Sequence, residues 1–328
     1  MAWLRKLVGA LLILSAIAVS LSREPDRAVE TLVARWGLPP SSFVELGEDA
    51  RGSERAPDPG PLAGQLVHLR DEGPRSDPVP IVLLHGTSAS LHTWDGWAAE
   101  LSKSRRVVRM DLPGFGLTGP RADGRYGLDD DARFVLAVLD HLKLGRVVIG
   151  GNSLGGRIAW RVATLAPQRV ERLLLVDAAG LPDSLGSIPL GWRIARTPVL
   201  GKTVEWMLPR PMVVQGLVAV YGDPARIDDA LVDRYFELTL REGNRAALRQ
   251  RLVQYVPGEH AAAIAGIRQP TLILWGGRDT VIPPAAAAGF ERLIPGSRRV
   301  MFDALGHVPH EEDPAATLVP VKAFLGID

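Results

Sequence analysis

The sequence predicts an α/β fold: a mostly parallel, open sheet with helices on both faces and a helical insertion before the penultimate core strand. Three observations carry this. Short, continuously apolar, β-branched runs recur, as strands buried on both faces require. Helix-compatible segments alternate with them, the pattern of parallel strands joined by right-handed crossovers. Between residues 182 and 266 the alternation stops. Helical patterns broken by prolines at 182, 189, 198, 209, 211 and 224 replace it.

The elements follow in chain order. Arg5 and Lys6 precede an apolar run from Leu7 to Leu21, closed by Ser22 and Arg23. The run is shorter than the roughly 20 residues of a comfortable span. With small residues at Ala16, Ala18 and Ser20 it fits a signal-peptide core, and an uncleaved anchor is the rival. Residues 1–23 are therefore set apart, and the charge order leaves the rest of the chain outside the cytoplasm. An uncleaved segment would associate with the membrane. Residues 24–45 read as a polar to mildly amphipathic lead-in. Turn formers and charge over 48–63 indicate a surface loop, flanked by short strands at Phe43–Leu46 and Gln65–Leu69.

The alternation then runs as strand Val79–Leu84, helix His92–Leu101, strand Arg106–Met110, helix Asp129–Leu142, strand Arg146–Ile149, helix Leu154–Leu165 and strand Arg172–Val176. After the insertion come strand Thr271–Trp275, helix Ala285–Leu293, strand Arg299–Phe302 and helix Pro314–Phe324. The core thus spans 24–181 and 267–328. The insertion, 182–266, carries helical patterns at Leu200–Met207, Val213–Tyr221, Asp228–Arg241 and Asn244–Gln254. It is too long for a loop, and it reads as a cap over the carboxyl edge of the sheet, where open α/β folds bind ligands.

Composition narrows the function. With 46% hydrophobic and 23% charged residues the chain is ordinary globular material, and its net charge of +1 supplies no field for nucleic acid. It has no cysteine, which excludes disulfides, thiolate metal sites and a cysteine nucleophile. Gly114-Phe115-Gly116-Leu117-Thr118-Gly119 matches a dinucleotide fingerprint in letters only, because Pro120 and a loop follow where a helix should open.

The informative segment is Gly151-Asn152-Ser153-Leu154-Gly155, a G-x-S-x-G between a strand and a helix. The chain must turn sharply there, so Gly151 and Gly155 remove side chains that would collide, and the new helix presents free amides to negative charge. This names the Ser153 hydroxyl as nucleophile. A serine hydroxyl needs a base to take its proton and a carboxylate to orient that base. Asp279 and His307 each lie just past a buried strand, and the chain order Ser153, Asp279, His307 is the one associated with this turn. Asp177, also at a strand end, competes with Asp279 for the acid, and is read instead as capping the turn into the insertion. For the oxyanion, the Leu154 amide and an amide of the His85-Gly86-Thr87-Ser88 loop are the donors, Thr87 first and Ser88 second.

Taken together, His85-Gly86, Asp111-Leu112-Pro113-Gly114-Phe115-Gly116, the serine turn, Asp279 and Gly306-His307 resemble the α/β-hydrolases from about residue 65 onward. That resemblance implies a hydrolase without cofactor or metal, with a helical cap and a small-molecule substrate, in which Ser153 is nucleophile, His307 base and Asp279 acid. Serine at the turn separates the chain from the epoxide hydrolases and haloalkane dehalogenases of that family. The default expectation is a serine esterase acting on a small to medium, partly apolar substrate. Gly-Asn-Ser-Leu-Gly-Gly also resembles the turn of hydrolases that cleave carbon–carbon bonds in ring-fission products. By that likeness Arg234 in the cap, with Arg241 and Arg245 behind it, is the candidate partner for a substrate carboxylate, while Asn152, the local hint of that chemistry, and Ser88 are further candidate substrate contacts. A non-catalytic ligand-binding module is the third reading. His85 and Asp111 are read as structural, and His310 as a surface residue at a helix start.

Overall fold

In the computed structural model, the described residues are 23–47, 62–182, 186, 190–198 and 200–327, with residues 3, 6, 7 and 9 ahead of them. Most of the N-terminal apolar run and most of the 48–63 loop lie outside these. Among the described residues no helix is long and apolar enough to cross a membrane.

Eight strands form one sheet in the order β1-β2-β4-β3-β5-β6-β7-β8. They are β1 (Ser41–Glu45), β2 (Leu66–Glu72), β3 (Ile81–Leu84), β4 (Val107–Met110), β5 (Val147–Asn152), β6 (Val170–Val176), β7 (Thr271–Gly276) and β8 (Arg298–Phe302). β2 pairs antiparallel with β1 and β4, and every other pairing is parallel. β3 shows why the strand runs are continuously apolar. Ile81 and Leu83 enter one core cluster and Val82 and Leu84 the other, so both faces are covered.

The helices are α1 (Val29–Trp36), α2 (Asp95–Leu101), α3 (Leu128–His141), α4 (Leu154–Leu165), α5 (Leu190–Ala195), α6 (Arg210–Val220), α7 (Asp229–Thr239), α8 (Asn244–Gln254), α9 (Ala285–Leu293), α10 (Pro309–Glu312) and α11 (Pro314–Leu325). Local chemistry sets several ends. Asp129, Asp130 and Asp131 occupy the first turn of α3, where they face its positive dipole end. Asp313 caps α11 by accepting from the Ala316 amide at 2.9 Å, Pro314 opens it, and Gly326 closes it at φ 67°.

Three elements differ from the sequence reading. The helix expected from His92 opens as a 3₁₀ turn over Leu91–Trp94, and the cap segment from Leu200 is also 3₁₀, to Glu205. The strand expected to stop at Ile149 continues through Gly150 and Gly151 to Asn152. Gly150 lies so close to Leu83 and Leu174 that an added Cβ would sit 3.1 Å from each.

The insertion between β6 and β7 holds α5 to α8. The lead-in straps it from outside. Arg35 pairs with Asp233 and Glu237 of α7 at 3.0 and 2.7 Å, the Trp36 indole donates to Glu237 at 2.7 Å, and Arg245 of α8 pairs with Asp26 at 2.6 Å.

Candidate active site

The parallel register aligns the carboxyl ends of four neighbouring strands. Asn152 lies opposite Val176, Val176 opposite Leu274, and Gly276 opposite Phe302. Ser153, Asp177, Asp279 and His307 follow these ends in the loops, so residues up to 154 positions apart in sequence share one edge.

Ser153 sits at φ 52°, ψ −113°, a left-handed conformation costly for a residue with a Cβ. The glycines around it are sterically required. A Cβ on Gly151 would lie 2.2 Å from the Gly155 backbone, and one on Gly155 would lie 2.1 Å from the Leu84 carbonyl oxygen. The turn is held by the Ser153 amide donating to Val176 O and by its carbonyl accepting from Arg157 and Ala179, each at 3.0 Å. The Ser153 hydroxyl has no hydrogen-bond partner among the described residues. It opens into a cleft of about 800 Å³, mouth included, that Thr87 and Leu154 also line. The Leu154 amide opens α4, and neither it nor the Thr87 amide makes a hydrogen bond among the described residues, so both are available as donors.

His307 and Asp279 are brought together: Nδ1 lies 2.7 Å from Oδ2. The proton on Nδ1 is donated to the carboxylate, which leaves Nε2 as the basic nitrogen. The other oxygen of Asp279 accepts the Val281 and Ile282 amides at 2.8 and 2.9 Å, which fixes the carboxylate. The loop bearing His307 is anchored to the insertion, since the His307 amide donates to Val220 O at 2.7 Å. Glu312 ties the same regions by accepting from Gly306, Gly222 and Asp223 amides at 2.8, 3.0 and 2.8 Å.

Five sequence expectations need correction. Asn152 is 2% exposed, its amide nitrogen is committed to His307 O at 2.8 Å and Val176 O at 3.2 Å, and it braces the histidine loop and does not line the cleft. Arg234 is paired with Glu311, whose other oxygen accepts the Tyr235 hydroxyl at 2.7 Å, and Arg234 does not line the cleft. Ser88 lines a smaller cavity of about 240 Å³ with Phe115, Asn244 and Leu248, and not the cleft of Ser153. His310 is 1% exposed, because α10 turns its ring onto Trp94 and Trp97, with ring centroids 3.9 and 6.3 Å apart; burial holds this imidazole well below its usual range. Asp177, expected to cap the turn into the insertion, instead accepts the Gly276 amide across the strand ends and is fully buried beside Asp279.

His85 and Asp111 behave as structural groups. His85 Nδ1 donates to Gly86 O at 2.7 Å and its Nε2 accepts the Leu112 amide at 2.9 Å, with burial holding the ring neutral. Asp111 accepts from His68, Leu91 and Leu117 at 2.6, 2.7 and 2.8 Å, pinning the loops after β3 and β4.

Sequence reasoning missed the cleft's arginines. Arg157 lies four residues past Ser153 on the same helix face, a spacing that could have located it. It donates to Val256 O and Glu259 at 2.9 Å each and lies 4.5 Å from the Tyr255 ring centroid. Arg251 of α8 makes a buried two-point pair with Asp131 and donates to Pro113 O at 2.9 Å. Arg196, just past α5, is exposed at the mouth, and its guanidinium has no acidic partner among the described residues. No spacing rule in the sequence ties Arg196 or Arg251 to Ser153.

Comparison with known proteins bears on the family and the fold. A family model described as "Alpha/beta hydrolase family" matches residues 81–320. The dihydrolipoyllysine-residue acetyltransferase component of the acetoin cleaving system of Pseudomonas putida is 29% identical over 97% of this chain and 80% of its own length. The 2-hydroxy-6-oxo-2,4-heptadienoate hydrolase of Pseudomonas putida strain F1 is 30% identical over 81% of this chain and 95% of its own. Among solved structures, a protein of Acinetobacter baumannii AYE assigned as a lipase superposes with a TM-score of 0.71 at 22% identity, over 92% of this chain and 97% of its own, which speaks for the fold.

Proposed function

The chain belongs to the alpha/beta hydrolase family, and from that premise we propose that it is a serine hydrolase of carboxylic esters working through an acyl-enzyme. The observations that carry this reading are a strained turn that presents the Ser153 hydroxyl to a largely apolar cleft, and an oriented His307–Asp279 dyad that follows β7 and β8 at the same carboxyl edge of the sheet.

In the proposed reaction, His307 Nε2 takes the Ser153 proton as Oγ attacks the ester carbonyl. The imidazolium is stabilised by Asp279 through Nδ1–H, and the oxyanion by the Leu154 and Thr87 amides. Collapse of the tetrahedral intermediate expels the alcohol, which leaves with the proton from Nε2. Water then repeats the sequence and frees Ser153. Turnover of short p-nitrophenyl esters that vanishes in Ser153→Ala supports the reading. Undiminished turnover in Ser153→Ala, or ligand binding with no turnover in the native protein, overturns it.

A second reading is favoured by Arg196. A cleft cation without an acidic partner would suit a substrate carboxylate, as in a carbon–carbon bond hydrolase acting on a carboxylate-bearing diketone. Arg196→Ala would then raise KM for carboxylate-bearing substrates and leave neutral esters unaffected. We also propose that residues 1–23 direct the chain out of the cytoplasm, cleaved or as an anchor. Cell fractionation and the N-terminal residue of the mature protein test this.

A further inference from the structure

Asp177 is a buried carboxyl beside the His307–Asp279 dyad to which the proposed reaction gives no role. It follows β6 at φ 45°, a conformation few residues with a Cβ adopt, and its exposure is 0%. One oxygen of Asp177, one of Asp279 and a ring nitrogen of His307 lie within 4.8 Å of one another.

The donors around the two carboxyls are unequal. Asp279 receives three, from His307 Nδ1 and the amides of Val281 and Ile282. Asp177 receives one, the Gly276 amide to Oδ1 at 2.9 Å, and its buried Oδ2 receives none. Neither carboxyl is paired with a lysine or arginine among the described residues. Two carboxylates this close and shut away from water cannot both stay charged without a cation between them, so the pair must hold a proton. That proton belongs where donors are fewest, on Asp177 Oδ2. Burial first, then the charge of Asp279 and more distantly of Glu312, all push the Asp177 carboxyl upward.

We infer that Asp177 is held as a neutral carboxylic acid whose Oδ2–H donates to Asp279, making it a positioning residue that keeps the acid of the triad aimed at His307. The inference rests on the serine-hydrolase reading above. Its chemical consequence is that His307 faces one negative charge where two carboxyls are present. A second charge would over-stabilise the imidazolium and leave less free base at neutral pH. The charged and titratable groups facing Asp177 are Asp279, His307 and Glu312.

The test uses the acid limb of the pH profile of kcat/KM. Asp177→Asn keeps the shape and a neutral donor, so the account predicts activity within about threefold of native and a superimposable acid limb. If Asp177 were ionised, removing its charge would move that limb to lower pH by roughly half a unit or more, and this result overturns the inference. Asp177→Val removes the donor; kcat should fall roughly tenfold or more with KM unchanged, and native kcat in a folded valine variant overturns it. A readout independent of turnover is the infrared C=O stretch of a protonated buried carboxyl, expected in the native protein at neutral pH and lost in Asp177→Asn. A difference spectrum without that band overturns the inference even if Ser153 proves to be the nucleophile. A band that is present stands even if it does not.

Discussion

Replacing Asn152 by alanine separates a structural brace from a substrate contact. The Asn152 amide supplies the donor to His307 O at 2.8 Å, whereas its other acceptor, Val176 O, keeps the Ser153 amide at 3.0 Å. The substitution therefore orphans one buried carbonyl, at about 1–3 kcal/mol, and leaves a small cavity. The summed loss is about 2–4 kcal/mol, which in a chain of this size lowers Tm by roughly 3–6 °C. Catalysis should suffer through the loosened His307 loop. A displacement of about 1 Å at a reacting group can cost up to roughly a hundredfold in kcat, while KM, set by cleft walls that Asn152 does not reach, should stay near native. The assays are thermal denaturation and p-nitrophenyl ester kinetics on the same preparation. A tenfold or larger rise in KM with Tm and kcat unchanged would refute the reasoning and restore Asn152 as a substrate contact.

Three further outcomes follow from the packing and the titrations. Gly155→Ala places a Cβ 2.1 Å from Leu84 O and should yield no soluble folded protein, whereas Gly216→Ala, with nothing within 4 Å inside α6, should stabilise by about 0.5–1 kcal/mol in thermal melts. Arg251→Leu strands Asp131, which burial already pushes upward, and should cost about 3–5 kcal/mol at pH 8; because protonation relieves the stranded carboxylate, the Tm gap from native should narrow as pH is lowered to 5. Burial pushes His92 down to about 4, so its neutral form is the one folding favours. Its contribution is fully present above the unfolded value near 6.5 and is lost as pH falls toward 4, by up to about 3 kcal/mol. His92→Gln should flatten that part of the Tm–pH curve.

Much of the frame was legible because it is written in local signals. The strand runs, the Gly151–Gly155 turn, and Asp279 and His307 just beyond strand ends all state their place within a few residues of themselves. The residues that were misplaced depend on contacts between distant segments. Arg234 has the composition of a ligand-binding arginine, but Glu311, 77 positions away, pairs with it. Asn152 sits beside the nucleophile in sequence yet points back to a carbonyl 155 positions away. Arg196 and Arg251 reach the cleft only through the fold of the cap, which no periodicity specifies. Asp177 looked like a turn residue because its neighbour Asp279 is invisible until β6 and β7 pair.

The central claim is that Ser153 Oγ is an activated nucleophile. Treatment of the folded protein with a fluorophosphonate, followed by peptide mass spectrometry, tests it without knowledge of the natural substrate. The account predicts one stoichiometric adduct on Ser153 that is absent in Ser153→Ala. Labelling that falls on another residue, or a folded protein that stays unmodified, would contradict it.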